Sequence, residues 1–341
     1  MTHERELTEP VDLCLPDGSA LDPAARGWSR RPLHRANLDG AWGRNKRWDY
    51  WAVLTGDLVV SCVYSDIDHL GLADVYWADF TSGESGGHAI VVEPGVIHLP
   101  DRPGTEPLHV DRDGLDLELG DDDQGTHLRA AWTEDDGRPG RFDIVVDQPP
   151  GHESLNVVIP WSDDVFNFTS KHQARPAHGE LVVGDHRWAI GEPESGDAWG
   201  VLDVGRGRWP QKIAWNWGGG AGRSGDHVIG LQVGGKWTEG TGFTENGLIV
   251  DGRLHKLGRE LAWDYDWDRP MKPWSVTGPD GRVDLRLVPR LDKHSRVEAI
   301  VLGTEVHQVF GTWSGTVVTD DGRELTLPHA LGFAEESRSR W

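Results

Sequence analysis

The sequence predicts an all-β, antiparallel fold, and three observations predict it. No stretch of a dozen residues carries an i, i+3, i+4, i+7 apolar pattern free of Gly and Pro. Short runs rich in β-branched and aromatic residues recur instead, separated by Gly-Asp or Asp-Gly turns at intervals of roughly 8–12 residues. The 18 tryptophans sit in this strand-like and turn-like sequence rather than in helical stripes. Such a pattern is that of a sandwich or a barrel.

The elements follow in order. Residues 1–30, rich in Pro, Asp and Gly, read as an extended arm over the surface. Segments 51–55 and 58–64 flank Gly56-Asp57 and form a hairpin. Segment 74–80 leads into the Gly/Ser-rich turn 82–87, and 115–119 alternates apolar with acidic residues. Segments 127–132 and 141–146 make a hairpin around 134–138, and 179–183 pairs with 186–190 around Gly184-Asp185. Strands follow at 228–233, 247–250, 283–288, 297–301, 306–310, 316–319 and 324–327, with turns at Asp251-Gly252 and Asp320-Asp-Gly322. The last residues, 335–341, read as a short helix or a tail. The chain divides near Pro160–Pro176 into two β domains, 31–165 and 166–341, behind the arm; no strict sequence repeat relates them.

Composition excludes several roles. With 34 basic and 56 acidic residues the formal charge is −22, which opposes bulk electrostatic binding to nucleic acid or to an anionic membrane. Two cysteines do not make a disulfide framework. Residues 1–10 lack the apolar core of a signal peptide, and no apolar run reaches the ~18 residues that span a bilayer. These features predict a cytoplasmic protein without membrane insertion. The partner they leave is a small molecule; oligomeric state is not encoded in the pattern.

Trp is the residue to follow. Each indole buries about 150–250 Å² and wants an acceptor for its N–H, so a β fold this rich in Trp has an aromatic interior filled by packing or by a ligand. The polar residues set among the tryptophans are Lys171, His172, Asp203, Arg206, Asn216, Lys236, Glu239, Glu245, Asn246, His307 and Gln308. A carboxyl beside an indole face is desolvated and becomes a better proton donor. Asp203 and Glu245 are therefore the catalytic candidates. Trp51, Arg206, Trp209, Trp215, Asn216, Trp217, Lys236, Trp237, Glu239, Asn246 and His307 are the candidates for contact with substrate. The alternative for Asp203 is a pairing with Arg206 or Arg208 that only holds a loop.

Other motifs are weak. The 16 histidines are scattered, with no H-x-H or H-E-x-x-H spacing, so neither a metal site nor a cofactor is expected. No G-x-S-x-G elbow supports a Ser nucleophile. The glycine-rich string 218–225 lacks the G-K-[ST] ending of a phosphate loop and reads as a flexible hairpin or lid. The arginines of 28–35 and 44–51 either bind an anionic group or pair across the two halves.

Two resemblances extend this reading. The run Gly179-Glu-Leu-Val-Val-Gly-Asp-His-Arg-Trp-Ala-Ile190, then Trp199-Gly-Val-Leu-Asp-Val-Gly205, Ile213-Ala-Trp-Asn-Trp-Gly218 and Val228-Ile-Gly-Leu-Gln-Val233, resembles the central segment of the lipocalin-like carotenoid-hydratase and AttH proteins. On that resemblance Asp203 falls at an acidic turn, and Trp215-Asn216-Trp217 stands where those proteins carry W-D-W. Over nearly its full length the chain resembles the bacterial DUF2804 family. The matching phrases include Glu6-Leu-Thr-Glu-Pro10, Lys46-Arg-Trp-Asp-Tyr-Trp51, Leu202-Asp-Val-Gly-Arg-Gly-Arg-Trp-Pro210, Met271-Lys-Pro-Trp274 and His307-Gln-Val-Phe-Gly311. The family name carries no activity. The lipocalin-like relatives, which include hydratases of isoprenoid double bonds and pericyclic cyclases of polyketides, imply two lipocalin-like barrels or highly curved sheets in tandem. An apolar ligand would be held in or between them.

Three functions remain open. The first is a cofactor-independent lyase, hydratase, isomerase or cyclase that acts by proton transfer on an apolar or amphipathic metabolite. The second is a non-catalytic carrier or sensor. The third is a carbohydrate-active enzyme with paired carboxylates facing each other over a Trp-lined groove.

Overall fold

The computed structural model describes residues 3–193, 195–298 and 303–340. Among them are 24 strands and one three-residue 3-10 turn, Pro23–Ala25. Two antiparallel sheets carry the fold, a near-barrel and a half-barrel in the tandem lipocalin-like arrangement.

The main path of the 13-stranded first sheet runs Ser85–Val92, Gly71–Asp79, Leu58–Asp66, Asn45–Leu54, Trp199–Arg208, Phe166–Val183, Pro139–Asp147, Gly125–Thr133, Leu115–Asp121, Leu108–Arg112. Its two ends approach each other, and His88 on one edge strand reaches the Asp113 carbonyl beside the other at 2.8 Å. The nine-stranded second sheet runs Arg253–Leu257, Asn246–Val250, His227–Gly235, Lys212–Ser224, Glu324–Arg340, Gly303–Val318, Val283–Glu298, Trp274–Thr277, Ala262–Asp264. The chain passes from the first sheet to the second between Arg208 and Lys212, so the first sheet takes in strands on both sides of position 165.

Strand periodicity explains how the sheets meet. Along Asn45–Leu54, Trp51 and Val53 point into the near-barrel core with Leu202 and Val204. The alternate residues Tyr50, Ala52 and Leu54 point outward, against Trp217, Phe310 and Phe333 of the second sheet. A strand covered on both faces has no solvent side, so Trp199–Arg208 is buried at all ten positions, its charged residues included. The arm adds a further tie: Glu4 reaches Lys256 of the second sheet at 2.9 Å, and both are buried.

Several short strands of the sequence reading are parts of long ones. Phe166–Val183, Val283–Glu298 and Gly303–Val318 each run on through a bulge, at His172/Arg175, Pro289/Leu291 and Trp313/Gly315 respectively. A bulge absorbs a Pro or Gly that reads as a turn; Gly315 sits there with φ +138°. Hence 283–288 and the start of 297–301 are one strand, with 299–301 outside the described residues.

Two expectations are corrected. The segment 335–340 is neither helix nor tail but the end of strand Glu324–Arg340, paired to Lys212–Ser224 and Gly303–Val318, with Trp341 outside the described residues. The glycine-rich string is no lid. Residues up to Ser224 lie in the mostly buried strand Lys212–Ser224, where missing side chains let Gln173 of the first sheet reach the Gly220 N–H at 3.0 Å. No helix among the described residues is long and apolar enough to cross a membrane.

Candidate active site

The two sheets enclose a cleft of about 530 Å³ between them, within the ~300–1,000 Å³ common for small-molecule sites. The outer face of the near-barrel supplies Trp48, Tyr50, Asn167, Thr169, Lys171 and Asp203. The half-barrel supplies Trp215, Trp217, Gln308 and Glu335, and intervening segments add Trp209, Trp237 and Glu245.

Lys171 is the hub. Strand register sets it directly opposite Asp203, and its ammonium lies 2.8 Å from Asp203 Oδ1 and 3.2 Å from Glu245 Oε2. It also stands 4.4 Å from the Trp217 ring centre, a cation–π contact. Asp203 accepts further bonds from the Thr169 hydroxyl at 3.1 Å and the Trp48 indole at 3.3 Å. Trp48 can lie there because position 205 is glycine: a Cβ would come within 1.9 Å of its ring. The Trp237 indole donates to Glu245 Oε1, and Gly234 leaves the room, since a Cβ there would sit 2.1 Å from that oxygen. Across the cleft the Trp215 indole donates to Glu335 Oε1 at 2.7 Å.

Tryptophans join these groups into one wall. Trp209 stacks on Trp237 at 5.4 Å between centres, and meets Trp48 and Trp215 edge-on at 5.3 and 5.4 Å. Trp161 packs on both Trp209 and Trp237.

Burial decides the protonation of this site. It pushes the Glu245 carboxyl up to about 7, against the pull of Lys171 and with added repulsion from Asp203. Burial likewise raises Glu335 to about 7, opposed by the Trp215 hydrogen bond and by Lys171. Burial works against the charge of Lys171, yet Asp203 and Glu245 outweigh it and hold the ammonium above its usual range. The cleft thus sets the Lys171 cation among two carboxyls held near neutrality.

A stability prediction follows from the sign of these shifts. Both glutamates bind protons more tightly folded than unfolded, so their contribution is complete below about pH 4.5 and is lost as pH rises through about 7. A difference of that size corresponds to roughly 3 kcal/mol per carboxyl. Urea melts at pH 5 and pH 8 should show a fall in stability for the parent that the double variant Glu245→Gln/Glu335→Gln largely removes. An equal pH slope in both proteins would discard the assignment.

The structure brings Lys171, Asp203, Glu245, Gln308, Trp209, Trp215, Trp217 and Trp237 to this cleft. The remaining candidates for substrate contact lie elsewhere. Trp51 faces the near-barrel core, and Arg206 is buried against Asp49 at 2.7 Å. Asn216 bonds Tyr265 and the Glu335 carbonyl, and Asn246 holds the Gly234 N–H. Lys236 pairs with Glu336, Glu239 is exposed, and His307 is bonded to Asp292. Asp203 pairs with Lys171 rather than with Arg206 or Arg208, and lies in mid-strand instead of at a turn. Its neighbours Arg206 and Arg208 are committed elsewhere, Arg208 to the carbonyls of Gly18 and Ser19 in the arm. Among the other arginines, Arg30 pairs with Glu6 and Glu153 and reaches the Leu254 carbonyl in the second sheet.

Glu335, Trp48 and Asn167 line the cleft without having been singled out, and Trp161 backs its tryptophan wall. Glu335 was hidden by the tail reading; following the alternation back from it through Phe333 along one strand would have turned it inward.

The model of DUF2804, a domain of unknown function, matches residues 4–341. The chain belongs to the DUF2804 family. No curated protein matches the sequence. Among solved structures, kievitone hydratase from Nectria haematococca is similar at 13% identity over 88% of this chain and 89% of that one, with a TM-score of 0.51. CghA with Sch210972 is similar at 14% identity over 86% and 88%, with a TM-score of 0.45. The likeness to kievitone hydratase is one of fold.

Proposed function

We propose that this DUF2804 protein is a proton-transfer enzyme, working with its own carboxyls, for an amphipathic metabolite held between the sheets. The observation that carries the reading is the set of two buried carboxyls near pH 7 around Lys171 in a tryptophan wall. Glu245, protonated for part of the time at neutral pH, gives its proton to a substrate carbon or leaving oxygen. The carboxylate left behind is held by Lys171. Asp203, fixed on the same ammonium, accepts a proton from the substrate or from an attacking water. Indole faces stabilise the positive charge that develops between these steps. Hydration, isomerisation and cyclisation are all chemistries of this type, and the name of kievitone hydratase accords with the first.

The walls also describe the ligand. Trp209 Nε1 and both amide atoms of Asn167 are buried without a hydrogen-bond partner among the described residues, and both side chains line the cleft. A ligand hydroxyl or carbonyl would satisfy them. The carbohydrate reading is less well served: Asp203 and Glu245 meet on one ammonium, which fills the gap where a glycosidic bond would sit.

Deuterium labelling tests the reading while the substrate is still unidentified. The protein is incubated in D₂O with fractionated apolar metabolites, and products are read by mass spectrometry. Hydration, isomerisation and cyclisation begun by proton transfer all place deuterium on carbon or change mass by a water. Native mass spectra that show a retained metabolite, never converted or labelled, would select the carrier.

A further inference from the structure

The reverse face of the cleft wall holds a group that the cleft does not use. Strands Val283–Glu298 and Gly303–Val318 are paired in register, with His294 opposite His307. Lys293, Ser295, Val306 and Gln308 of these strands face the cleft. The alternate residues His294, Glu305 and His307 therefore share the other face, with one donor atom from each lying within 4.8 Å of the others. The two imidazoles stack at 4.2 Å and 5°, and His294 Nε2 is 3.1 Å from Glu305 Oε1.

We propose that His294, Glu305 and His307 form a binding site for a divalent transition metal of the zinc class. Two imidazoles and one carboxylate are a donor set that such ions take, with further positions left for water. A second observation points the same way. His307 Nδ1 lies 2.8 Å from Asp292 Oδ2, and with its proton donated there the lone pair of Nε2 is free for a ligand bond. Metal-bound histidines are held by carboxylates in this manner. Trp267 packs edge-on against His307 at 4.6 Å and limits its rotation. His294 is 44% exposed and can turn to bring its nitrogen into place. Two cations neighbour the site: Arg296, 4.0 Å from Glu305 and 60% exposed, is a weak contact for a metal to displace, and Arg338, opposite Glu305 in register, is held by Glu336 and the Trp267 ring. The histidines escape a search by spacing because the ligands come from two strands 11 or more residues apart in sequence. An ion here would clamp the two strands whose opposite face lines the cleft, and so stiffen that wall.

The test is titration of chelator-treated full-length protein with zinc chloride by calorimetry, and with cobalt chloride followed by visible absorption. Expected is one saturable equivalent of each ion, with the cobalt bands of nitrogen and oxygen ligation. His294→Ala, at an exposed position that leaves the fold intact, should abolish that equivalent. Asp292→Asn should weaken affinity by about 10–100-fold without changing stoichiometry. Absence of a saturable equivalent, or its persistence in His294→Ala, would overturn the site.

Discussion

Glu245→Gln should reduce turnover by about 10²–10⁴-fold while leaving ligand affinity within a few-fold of the parent. The amide keeps the shape of the side chain, but its single oxygen can accept from only one of the Trp237 indole and the Lys171 ammonium, which the two carboxyl oxygens meet separately at present. What it lacks is the proton. An interaction made only in the transition state shows in kcat, because ground-state contacts to the ligand come from the tryptophans. Trp217→Ala should behave in the opposite way. Its ring packs on Lys171 and Phe333 and lines the cleft, so its loss weakens binding by about 1–3 kcal/mol. Steady-state kinetics on the substrate found by labelling, with calorimetric binding beside them, separates the two effects. Full turnover in folded Glu245→Gln would remove Glu245 from the chemistry and turn attention to Glu335, the other carboxyl held near neutrality.

Much of this was legible in the sequence, and the limits have physical causes. Period-two alternation and Gly-Asp turns announced the antiparallel fold, because those signals are local. Segments such as 58–64 and 141–146 fall inside the observed strands Leu58–Asp66 and Pro139–Asp147. Long strands were cut short wherever a bulge carried Pro289 or Gly315, since a bulge and a turn use the same residues. The indoles drew attention to Asp203 and Glu245, whose neighbours in sequence are aromatic or glycine-rich. Pairing was not legible: Lys171 lies 32 positions before Asp203 and meets it only through strand register. His294 and His307 met for the same reason. Asn216 and Lys236 were drawn in by nearness to tryptophan along the chain; in a strand the residue next to Trp215 and Trp217 points to the other face of the sheet, and Lys236 lies just past the strand His227–Gly235, at φ +66°, paired with Glu336.

Lys171→Met should be the most destabilising single change in the cleft, and its cost should depend on pH. The methionine fills similar volume but leaves Asp203 and Glu245 facing each other without the cation that lies 2.8 and 3.2 Å from them. Removing one partner of a buried ionic group typically costs about 3–5 kcal/mol, since the remaining charge is desolvated and uncompensated. Here the remaining charges are carboxylates, which escape the penalty by taking up protons. Burial already holds Glu245 near 7 with Lys171 present, and the lysine is the strongest influence pulling it down. Without it the carboxyl titrates higher still, so the folded variant binds more protons than the parent around neutrality. Linkage then gives the sign: the variant gains stability relative to the parent as pH falls and loses it as pH rises. Urea melts should therefore show a deficit that is small at pH 5 and approaches the full cost at pH 8. A deficit equal at the two pH values would mean that Lys171 serves as packing for Trp217 and not as the counter-charge. In that case the near-neutral carboxyl of Glu245, and the proton chemistry built on it, would lose their physical basis.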